Sequence, residues 1–197
     1  VIYDPVITPE LFDLAQRTVD DAWFTSTHDI PVIVAAGRLT EAKNYSLLLR
    51  AFAELIQFTP ARLLILGEGE QRASLQQLVE SLGIAASVSM PGFRANPFAY
   101  MAKADVYVMS SQWEGLPGAL IQALALQCNI VSTDCPSGPR EILEDGRYGV
   151  LVPNHDQQAL TQALRDVLTG QVKTEKSQYA EQIYGLDAIT QAYLALI

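Results

Sequence analysis

The sequence has little cysteine and no long apolar run. Its two cysteines, Cys128 and Cys135, lie seven positions apart without a neighbouring histidine cluster, which argues against both a disulfide framework and a zinc site. No apolar stretch approaches the roughly 20 residues of a membrane-spanning helix, and the first residues lack the basic and apolar blocks of a signal peptide. We therefore expect a soluble, unprocessed, cytoplasmic protein with reduced thiols.

Cationic side chains are also scarce. The 13 lysines and arginines are outnumbered by 22 aspartates and glutamates, which gives a formal net charge of −9. Binding to a nucleic-acid backbone requires a surplus of cations, so we expect no nucleic-acid partner. Any phosphate group must instead be held locally, by a few placed cations and by backbone N–H groups.

What the sequence does contain is a regular alternation of short apolar runs and helical stretches. The 197 residues are 49% hydrophobic, enough for one substantial core. Several apolar runs are continuous, as in strands that are covered on both faces. Strands in alternation with helices predict a Rossmann-like, doubly wound parallel α/β sheet of about six strands with helices on both faces. The predicted strands are 32–36, 62–66, 88–91, 106–109, 130–133 and 149–152.

The pattern divides the chain into three parts. Residues 31–170 carry the alternation and form the predicted sheet domain. Residues 1–30 are more typical of a linker and leading segment than of a core element, and residues 171–197 comprise a polar segment and a last helix from 187 to 197. Sheets of this class bind ligands at the carboxyl ends of their strands. Candidate binding residues should therefore follow directly after the strands.

The first predicted strand is followed by a glycine turn with two cations. Gly37 would let the backbone approach a ligand closely, and the N-terminus of the next helix carries partial positive charge. Arg38 can bind a phosphate through two N–H groups at once, whereas Lys43 would act as a point charge. For both cations, a solvated loop without a ligand is the alternative.

The second and third predicted strands are followed by further glycine turns. Gly67 and Gly69 suit a tight crossing from strand to helix, with or without a ligand. Gly92, Phe93 and Arg94 lie where a doubly wound fold can meet the flat base of a nucleotide. Ordinary core packing is the alternative for Phe93.

The densest group of candidates follows the fourth predicted strand. Pro117 favours a helix that begins near Leu116, whose free N–H groups would form an anion site. Glu114, just ahead, could accept hydrogen bonds from sugar hydroxyls. Gln122 is the one polar side chain of an otherwise apolar helix, so it must find partners in a ligand or in nearby backbone.

Together these segments resemble a known family. In order and spacing they are similar to the carboxy-terminal, donor-binding domain of the family 4 retaining glycosyltransferases, which have the two-domain GT-B fold. The resemblance covers nearly the whole chain, and the combination is far more specific than any single segment. The segments that carry it are Gly37-Arg38-Leu39, Lys43-Asn44, Gly67-Glu68-Gly69, Gly92-Phe93, Glu114-Gly115-Leu116-Pro117 and Ser137-Gly138-Pro139-Arg140-Glu141.

The resemblance implies a role for each side of the site. Arg38 and Lys43 would contact the donor diphosphate, and the turn at Gly115, Leu116 and Pro117 would contribute backbone contacts to sugar and phosphate. The loop from 92 to 94 would meet the base. No metal and no other cofactor is implied, and the sequence has no Asp-x-Asp run that could hold a metal.

One position departs from the family pattern. Glu114 matches the first glutamate of a Glu-x7-Glu motif and would contact the donor sugar, but the second glutamate is replaced by Gln122. The carboxylate of the family accepts from two ribose hydroxyls, whereas an amide offers one acceptor oxygen and an NH₂ donor. We therefore expect Gln122 to bind the donor about 1 to 2 kcal/mol more weakly than a glutamate at this position would.

The implied activity is transfer of a sugar, of hexosyl type, from a nucleotide-diphosphate sugar to a glycan or lipid-linked acceptor in bacterial surface polysaccharide synthesis. UDP and GDP are both open as the nucleotide. The acceptor site of such enzymes lies mostly in the amino-terminal domain, so the isolated domain should be inactive, and peripheral attachment of the full-length enzyme to the inner membrane stays open. The alternatives are a nucleotide-sugar epimerase, whose active-site signature we do not find, and a non-catalytic nucleotide-binding module.

Overall fold

The fold is built on one six-stranded parallel sheet. A computed structural model describes residues 2–25, 30–176 and 178–196. The strand order is β3-β2-β1-β4-β5-β6, with every neighbouring pair parallel, which is the order of a Rossmann fold and confirms the predicted fold class. The strands are β1 (Val32–Ala36), β2 (Arg62–Leu66), β3 (Val88–Gly92), β4 (Val106–Met109), β5 (Ile130–Asp134) and β6 (Val150–Pro153).

Helices connect the strands and flank the chain ends. Short 3-10 turns lie at Glu41–Lys43 and Glu144–Gly146. The helices of the described residues are α1 (Pro9–Ala15), α2 (Ala22–Thr25), α3 (Tyr45–Leu55), α4 (Arg72–Ser81), α5 (Phe98–Lys103), α6 (Gly118–Ala125), α7 (Pro139–Ile142), α8 (Gln157–Leu168), α9 (Tyr179–Tyr184) and α10 (Leu186–Leu194).

The sheet has a separate hydrophobic core on each face. Successive side chains of β1 alternate between them: Val32 and Val34 belong to one core, and Ile33 and Ala35 to the other. Because strand side chains alternate in direction, a continuous apolar run feeds both cores. Helices α5, α6, α7 and α9 contribute to the first core, and α3, α4 and α8 contribute to the second.

The predicted and observed boundaries differ mainly at the turns. The predicted bounds of β1, β2 and β4 match the structure, whereas β6 begins one residue later than predicted. The prediction that α6 begins near Leu116 is wrong, since the helix begins at Gly118. Pro117 has a ψ of 82°, outside the helical range, and stands as the N-cap.

The leading segment is packed more tightly than the expected linker. Leu11 and Val19 are buried, and the amide of Ile7 donates to the carbonyl of Tyr184 at 3.1 Å. The amide of Leu186 donates to the carbonyl of Ile7 at 2.9 Å, so the two ends of the chain lie side by side. The predicted last helix corresponds to α10, and α9 ahead of it was not predicted. Residues 1, 26–29, 177 and 197 of these segments lie outside the described residues.

Candidate functional site

The strand order reverses between β1 and β4, and a cleft opens beside this point at the carboxyl ends of the strands. Its volume is about 480 Å³. Parallel sheets of this order bind ligands at this position. Of the residues predicted from the sequence, six line the cleft together: Gly37, Arg38, Gly67, Phe93, Arg94 and Gln122.

Arg38 is an exposed cation at the mouth of this cleft. Across the described residues, its guanidinium makes no ion pair and no hydrogen bond. Arg72, Arg140 and Arg147, by contrast, are all held by carboxylates. The five N–H donors of Arg38 are therefore available to an anion in the cleft.

Lys43 lies on the same loop but is already paired. Its Nζ is 2.5 Å from Oε1 of Glu114, and Ser111 Oγ donates to that same oxygen at 2.6 Å. The side chains of Lys43 and Glu114 are only 22% and 12% exposed. The structure thus brings together two predicted site residues that lie 71 positions apart, and it adds Ser111, which the sequence did not single out.

Backbone contacts fix the loop of Lys43 against the loop after β4. Ser110 Oγ donates to the carbonyl of Lys43 at 2.8 Å, and the amide of Gln112 donates to the carbonyl of Ala42 at 2.8 Å. Asn44 adopts the left-handed conformation, with a φ of 46°, and its side chain accepts from the amide of Leu47 to cap α3. The ion pair therefore joins two loops that are already held in register.

Glycines allow the cleft walls to meet. A Cβ on Gly67 would lie 1.9 Å from the carbonyl oxygen of Gly37, and one on Gly69 would lie 2.4 Å from the carbonyl oxygen of Leu39. These distances require glycine for packing whether or not a ligand is present. Gly69 does not line the cleft, so its predicted contact with the donor has no geometric support beyond this turn.

The far wall of the cleft lies at the ends of β2 and β3. Phe93 is 73% exposed, so the alternative that it is ordinary core packing is wrong. The guanidinium of Arg94 donates to the carbonyl of Pro91 at 3.0 Å. The sequence missed Glu68, which lines the cleft and binds Arg72 through both carboxylate oxygens at 2.7 Å.

The N-terminus of α6 faces the same cleft. No side chain caps this end of the helix, and Ala119 in the first turn lines the cleft beside Gln122. Free N–H groups at a helix N-terminus favour an anion. The side chain of Gln122 is half-buried, makes no hydrogen bond to the described residues, and lines the cleft. Open space surrounds Gly115, in the turn before the helix.

A second pocket of about 550 Å³ lies at the carboxyl end of β5. It is lined by the carboxylates of Asp134, Glu141 and Asp145 and by a single guanidinium, that of Arg140. Arg140 is bound to Asp134 and, at 3.2 Å, to Asp145. The hydroxyl of Tyr3 donates to Glu141. This pocket is acidic, and its cation is already neutralised.

Buried neutral groups surround the Lys43 and Glu114 pair. Burial, with a smaller contribution from Glu114, raises the pKa of Tyr45 far above its ordinary value. Burial likewise raises the pKa of Tyr107, and it raises the pKa of Cys135 to about 11. All three groups are therefore uncharged at neutral pH, which leaves Lys43 as the cation that balances Glu114 among the described residues.

The described residues contain neither a membrane-spanning helix nor a clustered metal site. No helix among them is both long and apolar enough to cross a membrane. Nowhere in residues 2–25, 30–176 and 178–196 do three or more histidine, cysteine, aspartate or glutamate side chains gather as a metal site would require.

Comparison with known proteins identifies relatives over most of the chain. It is 34% identical over 168 residues to the N-acetylgalactosamine-N,N'-diacetylbacillosaminyl-diphospho-undecaprenol 4-alpha-N-acetylgalactosaminyltransferase of Campylobacter jejuni, covering 85% of this chain and 44% of the relative. It is 30% identical over 184 residues to the lipopolysaccharide core biosynthesis glycosyltransferase LpsE of Rhizobium meliloti, covering 91% of this chain and 53% of the relative. The chain thus spans about half the length of these curated relatives.

Solved structures share the fold. A glycosyltransferase from Rickettsia africae superimposes with a TM-score of 0.83 at 18% identity, over 100% of this chain and 55% of that one. Anabaena Alr3699/HepE in complex with UDP superimposes with a TM-score of 0.77 at 23% identity, over 85% of this chain and 48% of that one. The fold is therefore that of about half of a GT-B glycosyltransferase. The family model for glycosyl transferases group 1 matches residues 19–183, and the chain belongs to that family.

Proposed function

We propose that this chain is the donor-binding part of a retaining glycosyltransferase of hexosyl type. Its substrate is a nucleotide-diphosphate sugar, and its acceptor is a glycan or lipid-linked molecule in bacterial surface polysaccharide synthesis. The names of the Campylobacter and Rhizobium relatives, which refer to an undecaprenol-linked sugar and to lipopolysaccharide core, support this acceptor class. The UDP complex of the Anabaena protein supports a nucleotide donor.

One observation carries the proposal. Arg38, which has no ion partner among the described residues, and the uncapped N-terminus of α6 face one cleft at the switch point of the sheet. A guanidinium and free helix N–H groups are the partners that a diphosphate requires. In a protein of net charge −9, this local positive potential supports the binding of an anion at the cleft.

The proposed chemistry follows from the movement of charge. As the bond between sugar and phosphate breaks, negative charge accumulates on the diphosphate and the sugar becomes oxocarbenium-like. Fixed donors aimed at the diphosphate lower this barrier without a metal. In the proposal Arg38 and Lys43 stabilise the leaving group, Glu114 receives the sugar hydroxyls, and Gly115, Leu116 and Pro117 supply backbone contacts.

The nucleoside occupies the remaining walls of the cleft. Phe93 and Arg94 lie at the end of β3, where the base is proposed to bind, and Gln122 faces the ribose. Exposed aromatic rings are suited to contact flat bases. The amide of Gln122 replaces the carboxylate that the family motif has at this position, so it lowers donor affinity without removing the site.

The rest of the full-length protein is proposed to supply the acceptor site. The chain covers about half of each relative, so on its own it is expected to bind the donor and to transfer little or no sugar. We further propose that the full-length enzyme acts at the cytoplasmic side of the inner membrane, attached peripherally, because lipid-linked acceptors reside there.

A thermal-shift panel tests the proposal. UDP, GDP, ADP and their sugars are each added to the chain, since a ligand of the folded state raises apparent stability by mass action. We expect one nucleotide class to raise the melting temperature, and Arg38→Ala to abolish the shift while Arg140→Ala retains it. A wild-type chain that responds to none of these ligands would contradict the proposal. Product analysis with the full-length enzyme then separates a glycoside from an epimer, and binding without any transfer would identify a non-catalytic module.

A further inference from the structure

The pair of Lys43 and Glu114 poses a question for a diphosphate site. In the proposed function Lys43 binds phosphate and Glu114 binds sugar, yet here they bind each other at 2.5 Å in a partly buried position. The ammonium of Lys43 has three N–H donors, but its single positive charge is already shared with Glu114. A diphosphate that recruits Lys43 therefore competes with Glu114 for that charge and weakens the ion pair.

The two oxygens of the Glu114 carboxylate have different surroundings. Both Lys43 Nζ and Ser111 Oγ contact Oε1, and no donor among the described residues contacts Oε2. Ser111 is fully buried, and its own carbonyl accepts from Thr133 Oγ1 at 2.7 Å, so the hydroxyl that holds Oε1 is fixed in place. The carboxylate thus has one oxygen anchored and one oxygen with unused acceptor capacity among the described residues.

We propose that Glu114, anchored by Ser111 and paired with Lys43 in the empty site, makes the site select a diphosphate that still carries its sugar over the free nucleoside diphosphate. This inference rests on the proposed function, and it adds a discrimination between substrate and product. Ser111 is the positioning residue, since it acts on the donor only through Glu114.

The reason is the balance of partners around one carboxylate. When a sugar nucleotide binds, hydroxyls of the sugar donate to Glu114 as Lys43 moves to the diphosphate. A nucleoside diphosphate brings negative charge and no such hydroxyls, so the carboxylate shares Lys43 with the phosphates and gains no new donor. Weakening the pairing of a partly buried charge is costly. Discrimination therefore comes from an unfavourable contact with the product as well as from a favourable one with the substrate.

The test compares matched ligand pairs on the wild-type chain and on Glu114→Gln. Calorimetry measures Kd for UDP against UDP-glucose and for GDP against GDP-mannose. Glutamine keeps the shape and removes the charge. For the pair that the wild type binds, we expect Glu114→Gln to bind the nucleoside diphosphate more tightly. The Kd of the nucleoside diphosphate divided by the Kd of the sugar nucleotide should then fall about tenfold. An unchanged ratio would overturn the inference.

Two neighbouring serines provide a matched control. Ser111→Ala removes the hydroxyl that anchors Glu114, whereas Ser110→Ala removes an equally buried hydroxyl that binds the carbonyl of Lys43. We expect Ser111→Ala to lower the Kd ratio and Ser110→Ala to leave it unchanged. Equal effects of the two variants would assign Ser111 a merely structural role and would overturn its part in the inference.

The outcomes also separate this inference from the proposed function. Suppose that the wild-type chain binds both a nucleoside diphosphate and its sugar nucleotide, and that Glu114→Gln leaves the ratio of the two Kd values unchanged. The proposed function then stands, and the discrimination by Glu114 is overturned. A wild-type chain that binds none of the four ligands, and neither ADP nor its sugar in the thermal-shift panel, overturns both.

Discussion

Two pockets lie along the carboxyl edge of the same sheet, and they differ in the state of their arginines. In the cleft beside the end of β1, Arg38 has no carboxylate partner among the described residues, and the N-terminus of α6 faces the same space. In the pocket after β5, Arg140 is bound to Asp134 and Asp145. The pockets have similar volumes, about 480 and 550 Å³, so size does not distinguish them.

The comparison teaches that position at the sheet edge is not enough to define an anion site. Both pockets follow strands, and both contain an arginine and a glycine turn. An anion that enters the β5 pocket meets three carboxylates, whereas one that enters the cleft meets the uncommitted guanidinium of Arg38 and one carboxylate, Glu68, which Arg72 already binds. The electrostatic difference therefore assigns the diphosphate to the cleft in our proposal.

The largest expected effect is the loss of Arg38. In a complete enzyme, Arg38→Ala should lower the catalytic rate at least about 100-fold, because a donor aimed at charge that develops in the transition state is removed. Arg140→Ala, which removes an arginine of the other pocket, should stay within about threefold of wild type. Steady-state kinetics measures both variants. A rate for Arg38→Ala within about threefold of wild type would remove this residue from the mechanism.

The next effect concerns the wall of the cleft. Gly67→Ala should lower the free energy of unfolding by about 2 kcal/mol or more, because the added Cβ would lie 1.9 Å from the carbonyl oxygen of Gly37. Gly115→Ala is the matched control, since nothing lies within 4 Å of its added Cβ, and it should stay within about 0.5 kcal/mol of wild type. Urea denaturation measures both. Equal stability of the two variants would show that the close approach at Gly67 does not exist in solution.

A smaller effect is expected at Gln122. Gln122→Glu should tighten nucleotide binding by about 1 to 2 kcal/mol, because a carboxylate can accept from both ribose hydroxyls. Gln76→Glu, on the exposed surface of α4, adds the same charge away from the cleft and should leave the affinity unchanged. Calorimetry with the nucleotide that binds the wild type decides the matter. Unchanged or weaker binding by Gln122→Glu would place the ribose elsewhere.

The last prediction concerns the thiol that lines the β5 pocket. Burial raises the pKa of Cys135 from 9.0 to about 11, so the unfolded thiol ionises at a lower pH than the folded one. The stability that the neutral thiol contributes is complete below about pH 9 and is lost as the pH rises toward 11. Cys135→Ala should therefore lose less stability than wild type between pH 8 and about pH 10.5 in urea titrations. Parallel curves would contradict this account of the pocket.

Local sequence signals were sufficient for the fold. The strands β1, β2 and β4 are continuous apolar runs bounded by turn residues, so their bounds could be predicted to the residue. The burial of Leu11 and Val19 could not be predicted, because it depends on packing against distant elements rather than on a pattern within the leading segment.

The lining of the cleft was predictable in part, whereas the pairing of Lys43 with Glu114 was not. The turn after β1 identified Arg38 as a candidate, an apolar helix with one polar side chain identified Gln122, and the structure places both at the cleft. The contact between Lys43 and Glu114 spans 71 positions, and hydrogen bonds to the carbonyls of Lys43 and Ala42 hold the two loops together. No spacing rule within a single segment contains that information.

The central claim is that the cleft at the end of β1, and not the pocket at the end of β5, receives the diphosphate. A crystal structure of the chain with a saturating sugar nucleotide tests it most directly. We expect the diphosphate to lie against Arg38 and the first turn of α6, with the base beside Phe93. A diphosphate bound at Arg140, or a cleft that stays empty, would contradict the account.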